Sequence, residues 1–327
     1  MNQGQKINAQ QLWRQTMKFV WAKLLVRLVA ILIGAIVLSI TISLMLAQPQ
    51  FSLFTMVFGF GLAIGVYAWV VRIFGYAIRV GHIAVLVETI KTGKTPDNQL
   101  EFGKDKVVSK FKTAAIFFVL DRAVDLAVNQ LQNTVGNLMN MLPLPGLIKS
   151  FAKNVVKKAL KFVDECCIGW IFYNEDQSAT KGALDGVVIY FQNWKPILGN
   201  AVKTTLMMMV VQWILFVGLL IVFWSFTSVL GGGLWGWLAF FLGLMISMAI
   251  KRAFLDSWVM IRMMSTYFEH APQTEIKFDI YGKLSGISSS FRKLADQAQD
   301  EINAMPRGTV SGQPAYNFDP VSGEALY

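Results

Sequence analysis

Seven ionisable side chains stand inside strongly apolar, helix-forming runs of this chain: Arg79 and His82, then Asp121, Arg122 and Asp125, then Asp256 and Arg262. A charge at membrane depth costs about 3 kcal/mol or more and faces a partner or a pathway, so these seven are the candidate pathway residues. Asp121 and Asp125 are four apart and share a helix face, where like charges repel unless a cation lies between them. Helices lying flat at a membrane surface would show the same charges to water, and that reading stays open.

Other chemistries find little material. The two histidines, His82 and His270, have no His-x-x-x-His or Cys-x-x-Cys company, so no metal is expected. Thr92-Gly93-Lys94-Thr95 resembles the end of a phosphate-binding loop, but that motif needs Gly where Glu88 stands and a strand before it. Cys166 and Cys167 read either as acylated thiols or as small apolar residues. No catalytic residue and no cofactor is expected, and the chain is not read as an enzyme.

Lys149, Lys153, Lys157 and Lys161 recur at four-residue steps, with Phe151, Val155, Val156, Leu160 and Val163 on the complementary positions. A basic amphipathic helix of this kind binds anionic lipid at about 1 kcal/mol per charge near the surface. A solvated face of a helical layer is the alternative.

The elements that must hold these residues follow from charge placement. The chain has 327 residues, of which 54% are apolar and 15% charged, and segments 28–71 and 204–250 contain none of the charges. Leu28 to Ala47 is long enough to cross a bilayer as a helix, and Phe51 to Val71 is a second such run beyond Gln48-Pro49-Gln50. Thr204 to Leu230 and Leu234 to Ile250, joined by Gly231-Gly232-Gly233, repeat the plan. The expected fold is an all-α polytopic membrane protein with four transmembrane helices in two hairpins, long cytoplasmic helix extensions and amphipathic interfacial helices.

Basic residues number five before Leu28, seventeen from Arg72 to Lys203 and eight from Lys251 onward, with none in either short turn. The positive-inside tendency then puts both termini on the cytoplasmic side of a plasma or bacterial inner membrane. The expected segments are a cytoplasmic amphipathic start (1–27), a first hairpin with extension (28–95), an interfacial amphipathic region (96–203), a second hairpin with extension (204–272), a cytoplasmic C-terminal segment (273–305) and a disordered tail (306–327). The run from Phe51 to Ile90 would measure roughly 60 Å as one helix, twice a bilayer, with Gly75 and Gly81 permitting a kink. Gly61-x-x-x-Gly65 forms a small-residue face suited to a homo-oligomer or to packing within the first hairpin.

KFVDECCIGWIF, the apolar run from Thr204, and GLWGWLAFFLGLMISMAIKRAFLDSWVMIRMMSTYFEH together resemble the C-terminal part of the choline-transporter-like family. Phe254, Trp258, Met260 and Phe268 stand where that family places aromatic and Met residues. Arg262 falls where the family has an acid, and the expected spans are fewer, so no substrate-binding residue is carried over. The resemblance implies transport. The expectation is therefore a transporter or channel moving a small polar or cationic solute, with membrane lipid, anionic in character, and further copies of the chain as partners and no nucleic acid. The alternative is a non-transport scaffold that binds anionic lipid and partner proteins through its basic face.

Overall fold

The structure, a computed structural model, describes residues 7–110, 162–229, 233–276 and 278–303, together with 146 and 150. Among these residues the regular elements are helices, and no strand occurs. They are α1 (Ala9–Gln15), α2 (Met17–Ala47), α3 (Ser52–Thr92), α4 (Gln99–Lys110), α5 (Val163–Tyr173), α6 (Ala179–Gln192), α7 (Trp194–Val229), α8 (Gly233–Ile250), α9 (Asp256–His270), α10 (Phe278–Ile287) and α11 (Ser289–Asn303). Three described helices are long and apolar enough to cross a membrane, Met17–Ala47, Pro49–Thr92 and Val202–Val222, which is compatible with a membrane location. Asp121, Arg122, Asp125, Lys149, Lys153, Lys157, Lys161 and the tail from 306 lie outside the described residues.

The chain divides into two compact units. The first comprises Met1–Leu12, Ile83–Leu206 and Val259–Tyr327; the second comprises Trp13–His82 and Met207–Trp258.

In the second unit, α2 begins well before the expected span and runs for 31 residues, about 46 Å. Its hydroxyls are satisfied within the helix: Ser39, Thr41 and Ser43 donate to the carbonyls of Ala35, Val37 and Ser39. None of these three hydroxyls is then left unpaired in an apolar setting. Pro49 opens a single 3-10 turn, and α3 follows as an uninterrupted helix through Gly75 and Gly81. Gly59 of α3 lies against the Thr41 side chain, and Gly34 of α2 faces the Ala63 carbonyl, where a Cβ would stand 3.8 Å away. The α2–α3 approach therefore uses Gly59 and Ala63. Gly61 and Gly65 have nothing within 4 Å and line, with Leu62, Val66 and Trp69, an open groove of about 360 Å³.

A second seam joins Leu24 and Ile31 of α2 to Ala249 and Ala253, with Tyr67, Met245, Ile246, Ile250 and Phe254 packed around it. Between α8 and α9 the helix widens into a π turn over Lys251–Leu255, in which the Asp256 N–H donates to the Lys251 carbonyl. Such one-turn expansions re-aim the side chains that follow them.

The first unit is centred on α5 and α6. Gly182 and Gly186, one turn apart on α6, let the two backbones meet: a Cβ at Gly186 would lie 2.9 Å from the Cys167 Cα, and one at Gly182 would lie 3.2 Å from the Ile171 Cα. Cys166, Cys167, Leu184, Val187 and Tyr190 are buried in the resulting core, and Tyr267 of α9 closes it by donating from its hydroxyl to the Gly186 carbonyl. Both cysteines are wholly enclosed, and burial pushes both thiols well above their ordinary range, so neither is presented for acylation.

Ser178 caps α6 by accepting from the Lys181 N–H at 3.2 Å. Ser288 separates α10 from α11 and caps α11 by accepting from the Phe291 N–H at 3.1 Å. Phe291 and Ala298, seven apart, form the buried stripe of α11, which packs on α6. Gly93 ends α3 with φ +74 and returns its N–H to the Thr89 carbonyl, a helix stop that glycine tolerates best.

The α5–α6 turn is held by lysines. Lys110 donates to the carbonyls of Asn174 (3.4 Å), Glu175 (2.9 Å) and Gln177 (2.7 Å), and Lys91 donates to that of Tyr173 (3.2 Å). Lys106 bonds the Glu175 carboxylate at 2.7 Å, and this hydrogen bond draws the carboxyl below its ordinary range. Partial burial lowers the Lys110 pKa, against the opposing pull of Glu175 and Asp176.

Candidate functional site

The second unit buries a polar network built from α2, α3 and α9. Thr16, Phe19 and Lys23 fall at three- and four-residue steps, which brings all three to one face at the start of α2. His82, near the foot of α3, is fully enclosed and lies with its ring parallel to Phe19, centroids 5.0 Å apart. Lys23 Nζ stands 2.8 Å from His82 Nδ1 and donates to Ser257 Oγ at 3.0 Å. His82 Nε2 lies 2.9 Å from Thr16 Oγ1.

With Lys23 charged, its ammonium has only protons to give, so Nδ1 accepts and the ring proton sits on Nε2, facing Thr16 Oγ1. All four residues are buried, with Lys23 only 5% exposed. Two titratable groups in direct contact, shielded from water and gathered from three helices, can hold, pass or exchange a proton or order a polar solute. An arrangement needed only for packing would be met as well by apolar residues of the same volume.

Ser257 reaches the network because the π turn immediately precedes it. One additional residue in that turn rotates everything after it by about 100°, relative to a plain α-helix. Around the network, Arg27 donates to the Lys23 carbonyl at 2.9 Å and shares its surroundings with Arg252, Asp256 and Tyr67. Trp13 and Trp258 meet edge to face, centroids 5.7 Å apart, and Trp21 meets Phe254 in the same way at 5.3 Å.

The candidate residues thus separate. His82 is at the centre of the network. Arg79 is half-buried with its guanidinium 4.9 Å from the centroid of the Tyr76 ring, and Asp256 closes the π turn through its backbone. Arg262 belongs to the first unit, where it donates to Asn200 Oδ1 at 3.2 Å. Lys23, Thr16 and Ser257 were not singled out by the sequence; the spacing of Thr16, Phe19 and Lys23 was the available signal. Among the described residues no group of three His, Cys, Asp or Glu side chains is placed to hold a metal ion.

No protein-family model, no curated protein and no solved structure matches this chain.

Proposed function

We propose that the chain is a helical membrane protein of transporter or channel type that moves a small polar or cationic solute, with Lys23, His82, Thr16 and Ser257 as the polar hub of its pathway. The observation that supports this is the buried contact between Lys23 and His82, held at the junction of three helices and next to a π turn. Ionisable groups are kept inside membrane helices where they serve a passage or a relay, because their burial is otherwise penalised.

The arrangement proposed around this hub has four spans in two hairpins, with α8 as the fourth, both termini on the cytoplasmic side and the basic segments facing the same way. Only 17%, 17% and 6% of the most apolar stretches of the three candidate spans are buried, so one copy supplies few of the walls a pathway needs. Further copies of the chain, arranged as a homo-oligomer, would supply the rest.

The scaffold reading is favoured by a separate observation. The groove along Gly61 and Gly65 and a small cleft of about 10 Å³ beside Phe216, Phe240 and Leu244 have mainly apolar linings, unlike a hydrated conduit.

Reconstitution separates the two. Purified protein in vesicles of phosphatidylcholine and phosphatidylglycerol is assayed for uptake of radiolabelled choline and a panel of small amines and amino acids, beside empty vesicles and the Lys23→Met variant. Saturable uptake of one solute, reduced about tenfold or more in the variant, is the expected result. Absence of saturable uptake for the whole panel, from protein with native helix content, contradicts transport and leaves the scaffold.

A further inference from the structure

Arg262 is a half-buried arginine with an unusual bonding record. Its guanidinium carries five N–H donors. Among the described residues Nη2 donates to Asn200 Oδ1, while Nε is enclosed and meets no acceptor. No described carboxylate pairs with it, although an interior arginine ordinarily has one. What Arg262 does have is an anchor: Asn200 Nδ2 donates to Thr266 Oγ1 at 2.5 Å, and Thr266 Oγ1 donates to the Arg262 carbonyl at 3.1 Å. The side chain is therefore oriented but not neutralised.

Its surroundings point to the missing charge. Thr204, one turn beyond Asn200 on α7 and so on the same face, is 2% exposed with a hydroxyl that has no partner. Lys203, beside it on that helix, is exposed. The charge-free apolar run of α7 begins at Thr204, directly after Lys203. Asn200 and the guanidinium it holds consequently sit at the level where apolar helix meets headgroups.

We infer that Arg262, with Thr204 and Lys203, binds the phosphate of a phospholipid headgroup at the foot of α7. A guanidinium fork matches a phosphate in both shape and charge, and a buried hydroxyl supplies the neutral contact. This rests on the membrane location of α7 and not on transport, so it can fail or succeed separately.

The test is native mass spectrometry of the full chain released from nanodiscs of phosphatidylcholine with phosphatidylglycerol. Arg262→Gln keeps a donor for Asn200 and removes the charge. It should retain phosphatidylglycerol about tenfold more weakly than the parent, with helix content and elution volume unchanged, and Arg262→Lys should fall between. Equal retention by parent and Arg262→Gln overturns the assignment. Saturating inorganic phosphate, added in a parallel arm, should leave the lipid bound; displacement there would assign the site to soluble phosphate instead. If Arg262→Gln loses helix content, Lys203→Gln carries the test, with weaker retention expected and unchanged retention overturning the site.

Discussion

His82 and Lys23 are in direct buried contact at 2.8 Å, so their energetics can be tested as a pair. His82→Ala removes the acceptor of a charged donor and should destabilise the protein by about 2–3 kcal/mol in a denaturant titration. Lys23→Met removes the charge itself, and the double variant should cost less than the two single losses added together, because the ammonium no longer needs a partner. Strict additivity would mean that the 2.8 Å contact carries no coupling. At this scale the sequence was partly legible. His82 stood out as an ionisable residue in an apolar run. Lys23 did not, because it sits among the basic residues before Leu28 and reads as an inner-face anchor. Thr16 and Ser257 are of types found on any helix, and only the relative rotation of three helices makes them partners. Asp121, Arg122 and Asp125 fall outside the described residues, so the face they share stands as an expectation.

Among the elements, the α5–α6 pair shows what glycine spacing does. A methyl group at position 186 would press on the Cys167 Cα at 2.9 Å, and backbone cannot turn aside as a side chain can. Gly186→Ala should therefore lower stability by about 1–3 kcal/mol, whereas Gly61→Ala, with nothing within 4 Å, should leave the unfolding midpoint of a monomeric sample unchanged. A neutral Gly186→Ala would contradict the packing of α5 on α6. Helix identity was readable at this scale, because uncharged apolar blocks of bilayer length have few alternatives. The length of α3 was readable too, since no turn signal precedes Gly93. The π turn was not: Lys251–Leu255 reads locally as ordinary helix, and the turn lies where Ala249 and Ala253 pack with Leu24 and Ile31 of α2, a tertiary contact the local sequence does not announce. The glycines noticed in the sequence, Gly61 and Gly65, face an open groove, while Gly59 and Gly186 make the close approaches. Small-residue spacing announces that a close contact is possible and leaves open which face will use it.

For the molecule as a whole, the central claim is that the Lys23–His82 hub belongs to a pathway and is not a sealed structural pin. Ser257 is 2% exposed, so water reaches it only if the helices around it part. The two native cysteines are enclosed with their thiols held protonated, which gives a quiet background for a third. The most direct measurement is the labelling rate of Ser257→Cys by a small water-soluble methanethiosulfonate, in lipid vesicles, with Cys166 and Cys167 left in place. The account predicts steady labelling that slows when a transported solute is present. Labelling no faster than that of the parent chain, from protein that retains its helix content, would show a dry hub and contradict the pathway.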